Sequence, residues 1–264
     1  MKKLFVVSDI HSYYDELMKA LDKAGFNKDD PDHIFICCGD LLDRGLKARE
    51  CLTFVNNLKN KILIKGNHED LLIDIFYKQG FDGYDYSNGT ADTVYQISGI
   101  KPEDATSRHS ILSAIIQTKE DEDIKKYINN CIDYCEIGEY IFVHGWIPIA
   151  YEQPKSWQFL GKPTYVPGWR ESFLWEDARW LNGMHQWASG IVEPDKTIVC
   201  GHWHSAWGHQ KFHHSEEIDY SPFIEEGIIA IDGCTAASGI VNCVVLEVSD
   251  DDYNKFRCKR QAGV

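Results

Sequence analysis

The stretch Gly39-Asp40-Leu41-Leu42-Asp43-Arg44 places two carboxylates and a guanidinium directly after an apolar run, residues 33–37, that reads as a buried strand. Carboxylate oxygens suit hard or borderline divalent cations, and the planar fork of an arginine suits a phosphoryl group. By itself the hexapeptide is equally well a surface turn with a local ion pair. Four more apolar runs end in the same manner. Residues 4–7 lead into Ser8-Asp9-Ile10-His11, where Asp9 and His11 share one side of an extended backbone. Lys61–Ile64 leads into Gly66-Asn67-His68-Glu69, residues 140–143 into His144-Gly145, and Thr197–Cys200 into Gly201-His202-Trp203-His204. An isolated histidine is more often packed or exposed than ligating, but five such strand ends are hard to attribute to chance. The donors are Asp9, His11, Asp40, Asn67, His144 and His202, with His204 as a further candidate. A nitrogen and oxygen set without thiolate fits Mn, Fe or Zn better than a structural zinc or a calcium cage. The set also exceeds the needs of one ion. Two divalent ions roughly 3.5–4 Å apart, sharing one carboxylate, would use it fully.

The elements that must position these groups are legible as strand–loop–helix units. After the first strand, Ser12 is placed to cap a helix with the apolar stripe Tyr14, Leu17, Met18 and Leu21, closed by Gly25. The second helix turns Leu52, Phe54, Val55 and Leu58 inward, and the third carries Leu71, Leu72, Ile75 and Phe76. Three such units in succession predict a parallel sheet with right-handed crossovers, its polar loops gathered along the carboxyl edge. The expected class is α/β: central mixed sheets flanked by helices in a single domain over residues 1–264. Residues 80–139 read as a helical insertion or cap within it. They begin with a loop at 80–89 and continue with helices at Thr90–Ser98, 109–117 and 123–131; Cys131 and Cys135 are expected on a helix. All eight tryptophans fall between Trp146 and Trp207, and are expected to pack a loop-rich layer onto the sheet. The last strands, residues 227–232 and 241–248, are expected to pair antiparallel about a turn at 237–239.

The 264 residues carry 27 basic and 41 acidic side chains, a net charge of −14, which disfavours broad binding to nucleic acid or anionic membrane. With 44% hydrophobic and 12% aromatic residues the chain can bury a real core. Nine cysteines, an odd number at irregular spacing without a CxxC pair, point to free thiols. The first residues turn polar too soon for a secretory segment, and no run approaches a membrane span. A reducing cytoplasm is the expected setting.

The motifs Asp9-x-His11, Gly39-Asp40-x-x-Asp43-Arg44, Gly66-Asn67-His68-Glu69, His144-Gly145 and Gly201-His202 stand in the order and approximate spacing of the calcineurin-like metallophosphoesterases. The chain resembles that superfamily over residues 4–248. Its second and third motifs are most similar to the branch of serine/threonine protein phosphatases and symmetrical diadenosine tetraphosphatases. The resemblance implies one metal held by Asp9, His11 and Asp40 and another by Asp40, Asn67, His144 and His202. It also implies in-line attack on phosphorus by a metal-bridging hydroxide. Asn67 and Arg44 would hold the phosphoryl oxygens, and His68, oriented by Asp43, would protonate the leaving group. A second arginine grips phosphate in this branch; Leu174-Trp175-Glu176-Asp177-Ala178-Arg179-Trp180 resembles the stretch that supplies it, which nominates Arg179 with Arg170 in reserve.

The chain departs from the protein-phosphatase pattern at Ser12, where glycine is usual, at the second histidine His204, and at Ile231-Asp232-Gly233-Cys234. His204 is open between metal ligand and supporting group, while His209, His213 and His214 are expected to be exposed non-ligands. The implied activity is phosphatase action on phosphomonoesters such as phosphoserine or phosphothreonine of proteins. The alternatives are hydrolysis of a nucleotide polyphosphate such as diadenosine tetraphosphate, a phosphodiesterase, or a non-catalytic phosphate-binding module. The expected partners are phosphorylated proteins or small phosphorylated metabolites and nucleotides, with neither stable nucleic-acid binding nor a membrane.

Overall fold

The structure is a computed structural model that describes residues 1–152 and 161–259. In chain order the first half forms β1 (Lys2–Val7), α1 (Tyr14–Ala24), β2 (His33–Cys38), α2 (Ala48–Asn57), β3 (Lys61–Ile64) and α3 (Asn67–Ile75). A helical stretch follows: α4 (Gly83–Asn88), α5 (Thr90–Ser98), α6 (Arg108–Glu120) and α7 (Glu122–Asn130). Next come β4 (Cys131–Ile132), β5 (Tyr134–Ile137), β6 (Tyr140–Phe142), β7 (Ile149–Tyr151), β8 (Pro163–Tyr165), α8 (Trp175–Arg179) and α9 (Gly183–Ala188). The chain continues with β9 (Thr197–Cys200), α10 (Ser205–Phe212), β10 (Phe223–Glu225), β11 (Ile228–Ala230), α11 (Thr235–Ser238), β12 (Val244–Val248), α12 (Asp250–Asn254) and β13 (Arg257–Lys259).

Two mixed sheets lie face to face. The first has the order β12-β1-β2-β3-β4, with β1 to β4 parallel and β12 antiparallel at the edge. The second has the order β10-β11-β9-β6-β5-β13, parallel through β11, β9 and β6 and antiparallel outside them. Strand alternation sorts side chains between cores. Phe5, Val7, Phe35 and Cys37 pack under helices α1, α2, α5 and α7. Leu4, Val6, Ile34 and Ile36 fill the seam between the sheets with Phe142 and Val199. On the outer face of the second sheet, Ile141, Val143 and Ile198 meet Trp146, Trp169 and Trp175. This is the α/β arrangement of mixed sheets between helical layers.

Several sequence expectations are corrected here. Helix α1 begins at Tyr14 without a side-chain cap, because Ser12 sits at φ 61°, outside the extended region a cap requires. Residues 80–89 are not all loop: Asp82 caps α4 by accepting from the amides of Tyr84 and Asp85. The helical part of residues 80–139 ends at Asn130, so Cys131 and Cys135 lie in strands. The chain crosses there from the first sheet to the second at Asp133. The last strands do not pair with each other: β11 joins β9 and β10, whereas β12 joins β1 in the other sheet. Both are apolar runs, and the choice of sheet depends on which core their inward side chains complete. Trp180 and Trp203 are 43% and 40% exposed rather than packed away, and Trp157 lies outside the described residues. The nine cysteines are free, and no helix among the described residues is long and apolar enough to cross a membrane.

Candidate active site

The carboxyl ends of β1, β2, β3, β6 and β9 converge, and their loops are laced by backbone hydrogen bonds. Asp9 N–H donates to the Gly39 carbonyl, His11 N–H to Asp40 and Ser12 N–H to Leu41, while Gly201 N–H donates to His144. Among the described residues, seven of the ten non-glycine residues with positive φ are here: Asp9, His11, Ser12, Asp40, Asp43, Arg44 and His202. Such conformations each cost about 1–3 kcal/mol and persist only where the surroundings impose them.

Asp40 is the centre. It is 2% exposed, and its Oδ2 lies 3.4 Å from His144 Nε2, 3.8 Å from His11 Nε2 and 4.0 Å from His68 Nε2. Two groups of metal-type donors, His11–Asp40–His68 and Asp40–His144–His202, share this carboxylate. Asn67 Oδ1 lies 2.8 Å from His144 Nε2. Separations of about 3.0–3.4 Å are the edges of an octahedron or tetrahedron with bonds of about 2.1 Å, so Asn67, His144 and Asp40 fit round one ion.

The imidazoles are also oriented for ligation. His144 Nδ1 donates to the Cys38 carbonyl at 2.7 Å and His11 Nδ1 to Leu42 at 3.1 Å, while His202 bonds the Trp180 backbone. Each is fixed through one nitrogen and offers the other, as metal-bound histidines do. Burial holds His11 well below its usual range and His202 down at about 3, so both are neutral. At Asp40, burial opposes ionisation, but His144, His68 and His11 hold the carboxyl well below the usual range. The donor set therefore suits two cations, with the Asp40 carboxylate available to both.

Asp9 is on the same floor but in neither tight group; its Oδ2 accepts from Ser8 Oγ and His202 N–H. Burial pushes it up to about 6, with Asp40 adding to the shift against His144. His204 is in neither group either: half exposed, with Nε2 3.9 Å from Asp232 Oδ2.

Beside the donors stands a second constellation. His68 Nδ1 meets Asp43 Oδ2 at 2.7 Å, and its Nε2 lies 3.2 Å from Arg44 Nη2. Burial works against the charge on His68, but Asp40 and Asp43 outweigh it and raise the group above its usual value. With Nδ1 committed to Asp43, Nε2 accepts from the exposed Arg44, and an anion that displaces this contact would meet the Arg44 guanidinium and a protonated Nε2.

Arg179 sits in a network of carboxylates. It is 2% exposed, with its terminal nitrogens bonded to Asp70 and Asp133 at 2.6 and 2.5 Å. It ties the sheet crossover to α3, and its Nε is buried without a hydrogen-bond partner. Arg170 is likewise engaged by Glu136 and Glu193 and stacks on Trp169. Sequence reasoning missed the use of Glu69. Its buried carboxylate accepts the amides of Asp40, Leu41 and Gly66 and the Tyr127 hydroxyl, joining two loops to α7. His209 bonds the Ser221 carbonyl and His213 bonds Glu225, away from the site.

A symmetrical bis(5'-nucleosyl)-tetraphosphatase of Buchnera aphidicola is 36% identical over 72 residues, 27% of this chain and 26% of that protein. Serine/threonine-protein phosphatase PP1-delta of Caenorhabditis elegans is 38% identical over 79 residues, 28% of this chain and 25% of that protein. The chain thus matches about a quarter of the length of these relatives. A crystal structure of a cold-active protein-tyrosine phosphatase of a psychrophilic Shewanella shares the fold, with a TM-score of 0.53 at 17% identity over 94% of this chain and 76% of that one. The family model for the calcineurin-like phosphoesterase, whose members depend on two metal ions, matches residues 2–217, and the chain belongs to the calcineurin-like phosphoesterase family.

Proposed function

We propose that this chain is a dinuclear-metal phosphatase acting on phosphomonoesters, with phosphoserine and phosphothreonine of proteins as the leading substrates. The observation that carries the reading is the Asp43–His68–Arg44 constellation beside the shared Asp40. Asp9, His11, Asp40, Asn67, His144 and His202 would hold two divalent cations, Mn or Fe ahead of Zn, which would supply Lewis acidity and an acidified water. Arg44 then holds the phosphoryl oxygens, with Asn67 contributing from the floor of the site. With substrate in place of the Arg44 contact, His68 carries a proton on Nε2 and delivers it to the leaving oxygen, while Asp43 keeps the ring in place and stabilises its charge. An alkoxide is a poor leaving group, so an aimed acid is what an alkyl phosphomonoester requires.

One observation favours a second reading, hydrolysis of a nucleoside polyphosphate. Trp180 packs edge-on against His202, and Trp203 follows that residue; both are partly exposed and offer aromatic surface to a base. The names of relatives in both classes leave the substrate to experiment.

The test is product analysis with the purified chain and Mn. A phosphoserine peptide, diadenosine tetraphosphate and p-nitrophenyl phosphate are offered separately, with Asp40→Asn as control. Orthophosphate from the peptide supports the first reading, and ADP from the tetraphosphate the second. No hydrolysis of any of the three with Mn, Fe or Zn overturns both.

A further inference from the structure

The helical stretch reaches into the site at one place. Helix α5 presents Thr90, Thr93 and Gln96 to the loop after β2. Thr90 Oγ1 donates to Asp43 Oδ2 at 2.8 Å and Thr93 Oγ1 to Asp43 Oδ1 at 2.7 Å. The Thr93 hydroxyl also accepts the Asp43 amide at 3.0 Å. One turn on, Gln96 donates to the Gly45 carbonyl at 2.9 Å and accepts from the Ala48 amide at 3.0 Å. Both threonines are fully buried. The close fit extends to Gly89, at φ 82°: a Cβ there would stand 2.2 Å from Arg44 N and 2.7 Å from Arg44 Cα. Asp43 and Arg44 both hold left-handed backbone, at φ 73° and 65°.

We propose that Thr90 and Thr93 are positioning residues for the proton-donating His68, acting through Asp43. A carboxylate bonded only to His68 can rotate about its side-chain torsions and carry the imidazole with it. Asp43 instead receives three side-chain donors, His68 and Thr90 on one oxygen and Thr93 on the other. Charge-assisted bonds of this kind are strong and directional. The carboxylate plane is thereby fixed, and with it the line along which Nδ1–H of His68 points and the direction Nε2 faces. A hydroxyl is needed at both positions; a methyl of the same shape leaves the carboxylate oxygens unpaired. Helix α5 therefore sets the aim of the acid without touching substrate.

This inference rests on the phosphoester-hydrolase reading, and the experiment separates the two. Native protein, Thr90→Val, Thr93→Val, the double valine variant and the double Thr→Ser variant are compared on O-phosphoserine and p-nitrophenyl phosphate with Mn. An acid matters most when the leaving group is a poor one. The double valine variant is expected to lose on the order of 10²-fold in kcat on O-phosphoserine, the lower end of what a general acid contributes. Its KM should be unchanged, and the loss on p-nitrophenyl phosphate should be several-fold smaller. Serine, which keeps the hydroxyl, should restore most of the activity. Equal losses on the two substrates, or failure of serine to rescue, overturn the proposal. If the double valine variant does not fold, the single Thr90→Val variant carries the same comparison. If native protein hydrolyses neither phosphate, it is the parent reading that fails.

Discussion

The contact between Gly66 and Asp40 allows the positioning of the site to be tested by one methyl group. Gly66 has extended backbone, φ −96° and ψ −179°, which alanine adopts without strain. Its surroundings are less permissive. A Cβ at Gly66 would lie 2.1 Å from Asp40 Oδ1, 2.6 Å from Asp40 N and 2.9 Å from Glu69 Oε2. Contacts under 3.0 Å are essentially never made by a real Cβ, so Oδ1 must retreat by about 0.9 Å. That retreat strains the bond from His68 N–H to Oδ1, now 3.0 Å, and moves the Oδ2 about which the histidines gather. Misplacing a reacting constellation by ~1 Å can cost ~10²-fold in rate. Overpacking adds ~1–3 kcal/mol of lost stability. Gly66→Ala is therefore expected to lower Mn-dependent kcat/KM on p-nitrophenyl phosphate by about two orders of magnitude, to weaken Mn binding, and to melt earlier. Gly83→Ala, where a Cβ meets nothing within 4 Å, is the control. A Gly66→Ala protein with native kcat/KM and native Mn affinity would refute the claim that Asp40 is held in place by this contact.

Arg179→Met should destabilise the fold by ~3–5 kcal/mol, because it leaves Asp133 buried without its partner. Urea denaturation measures this, and full stability together with a tenfold rise in KM would return Arg179 to the phosphate-clamp role. Tyr127→Phe should cost ~1.5–3 kcal/mol through the bond lost at the Glu69 carboxylate; a change under ~0.5 kcal/mol, within ordinary surface scatter, sinks the bracing role. Metal uptake should release protons near neutral pH. Burial opposes the charge on His144, but Asp40 and Asp9 push it up to about 10, so in stripped protein it carries a proton that ligation must displace. Mn affinity should consequently fall as pH is lowered below 10, and titration calorimetry at pH 7 in buffers of different ionisation enthalpy should give different apparent heats. Identical heats in all buffers argue against it.

The site was legible in the sequence to the extent that its chemistry sits directly on strand ends. Asp40, His144 and His202 follow short apolar runs, and a parallel sheet brings such loops to one edge. What the sequence hid depends on contacts between distant neutral or compensating groups. Thr90 and Thr93 look like ordinary helix residues, since a hydroxyl bonded to a carboxylate 47 or 50 positions away has no periodic signature. The pattern Asn88-Gly89-Thr90-x-x-Thr93 was available as a signal, a glycine for close approach followed by two hydroxyls on one helix face. Arg179 stayed ambiguous, because a tryptophan-flanked arginine reads the same whether it grips phosphate or two buried aspartates. The crossover at Asp133 was hidden by Cys131 and Cys135, whose spacing of four matches a helix, and by burial on both faces, which leaves residues 131–135 without an alternating pattern.

The left-handed residues explain why the loops specify one another. Local preference opposes positive φ at Asp9, His11, Ser12, Asp40, Asp43, Arg44 and His202. The bonds that impose it run between loops: His11 N–H to Asp40, Ser12 N–H to Leu41, Gly45 N–H to His11 and Lys47 N–H to Ser12. Glu69 adds an anion that accepts amides from both the Asp40 and the Gly66 loops. No single loop has a reason to adopt its shape without its neighbour. The same reasoning accounts for Ser12, a residue without the conformational freedom of glycine. Serine raises the intrinsic cost of a left-handed backbone by about 1–2 kcal/mol, but the Ser12 amide and carbonyl remain bonded to Leu41 and Lys47. The interloop bonds set the conformation there, and the side chain only alters what that conformation costs.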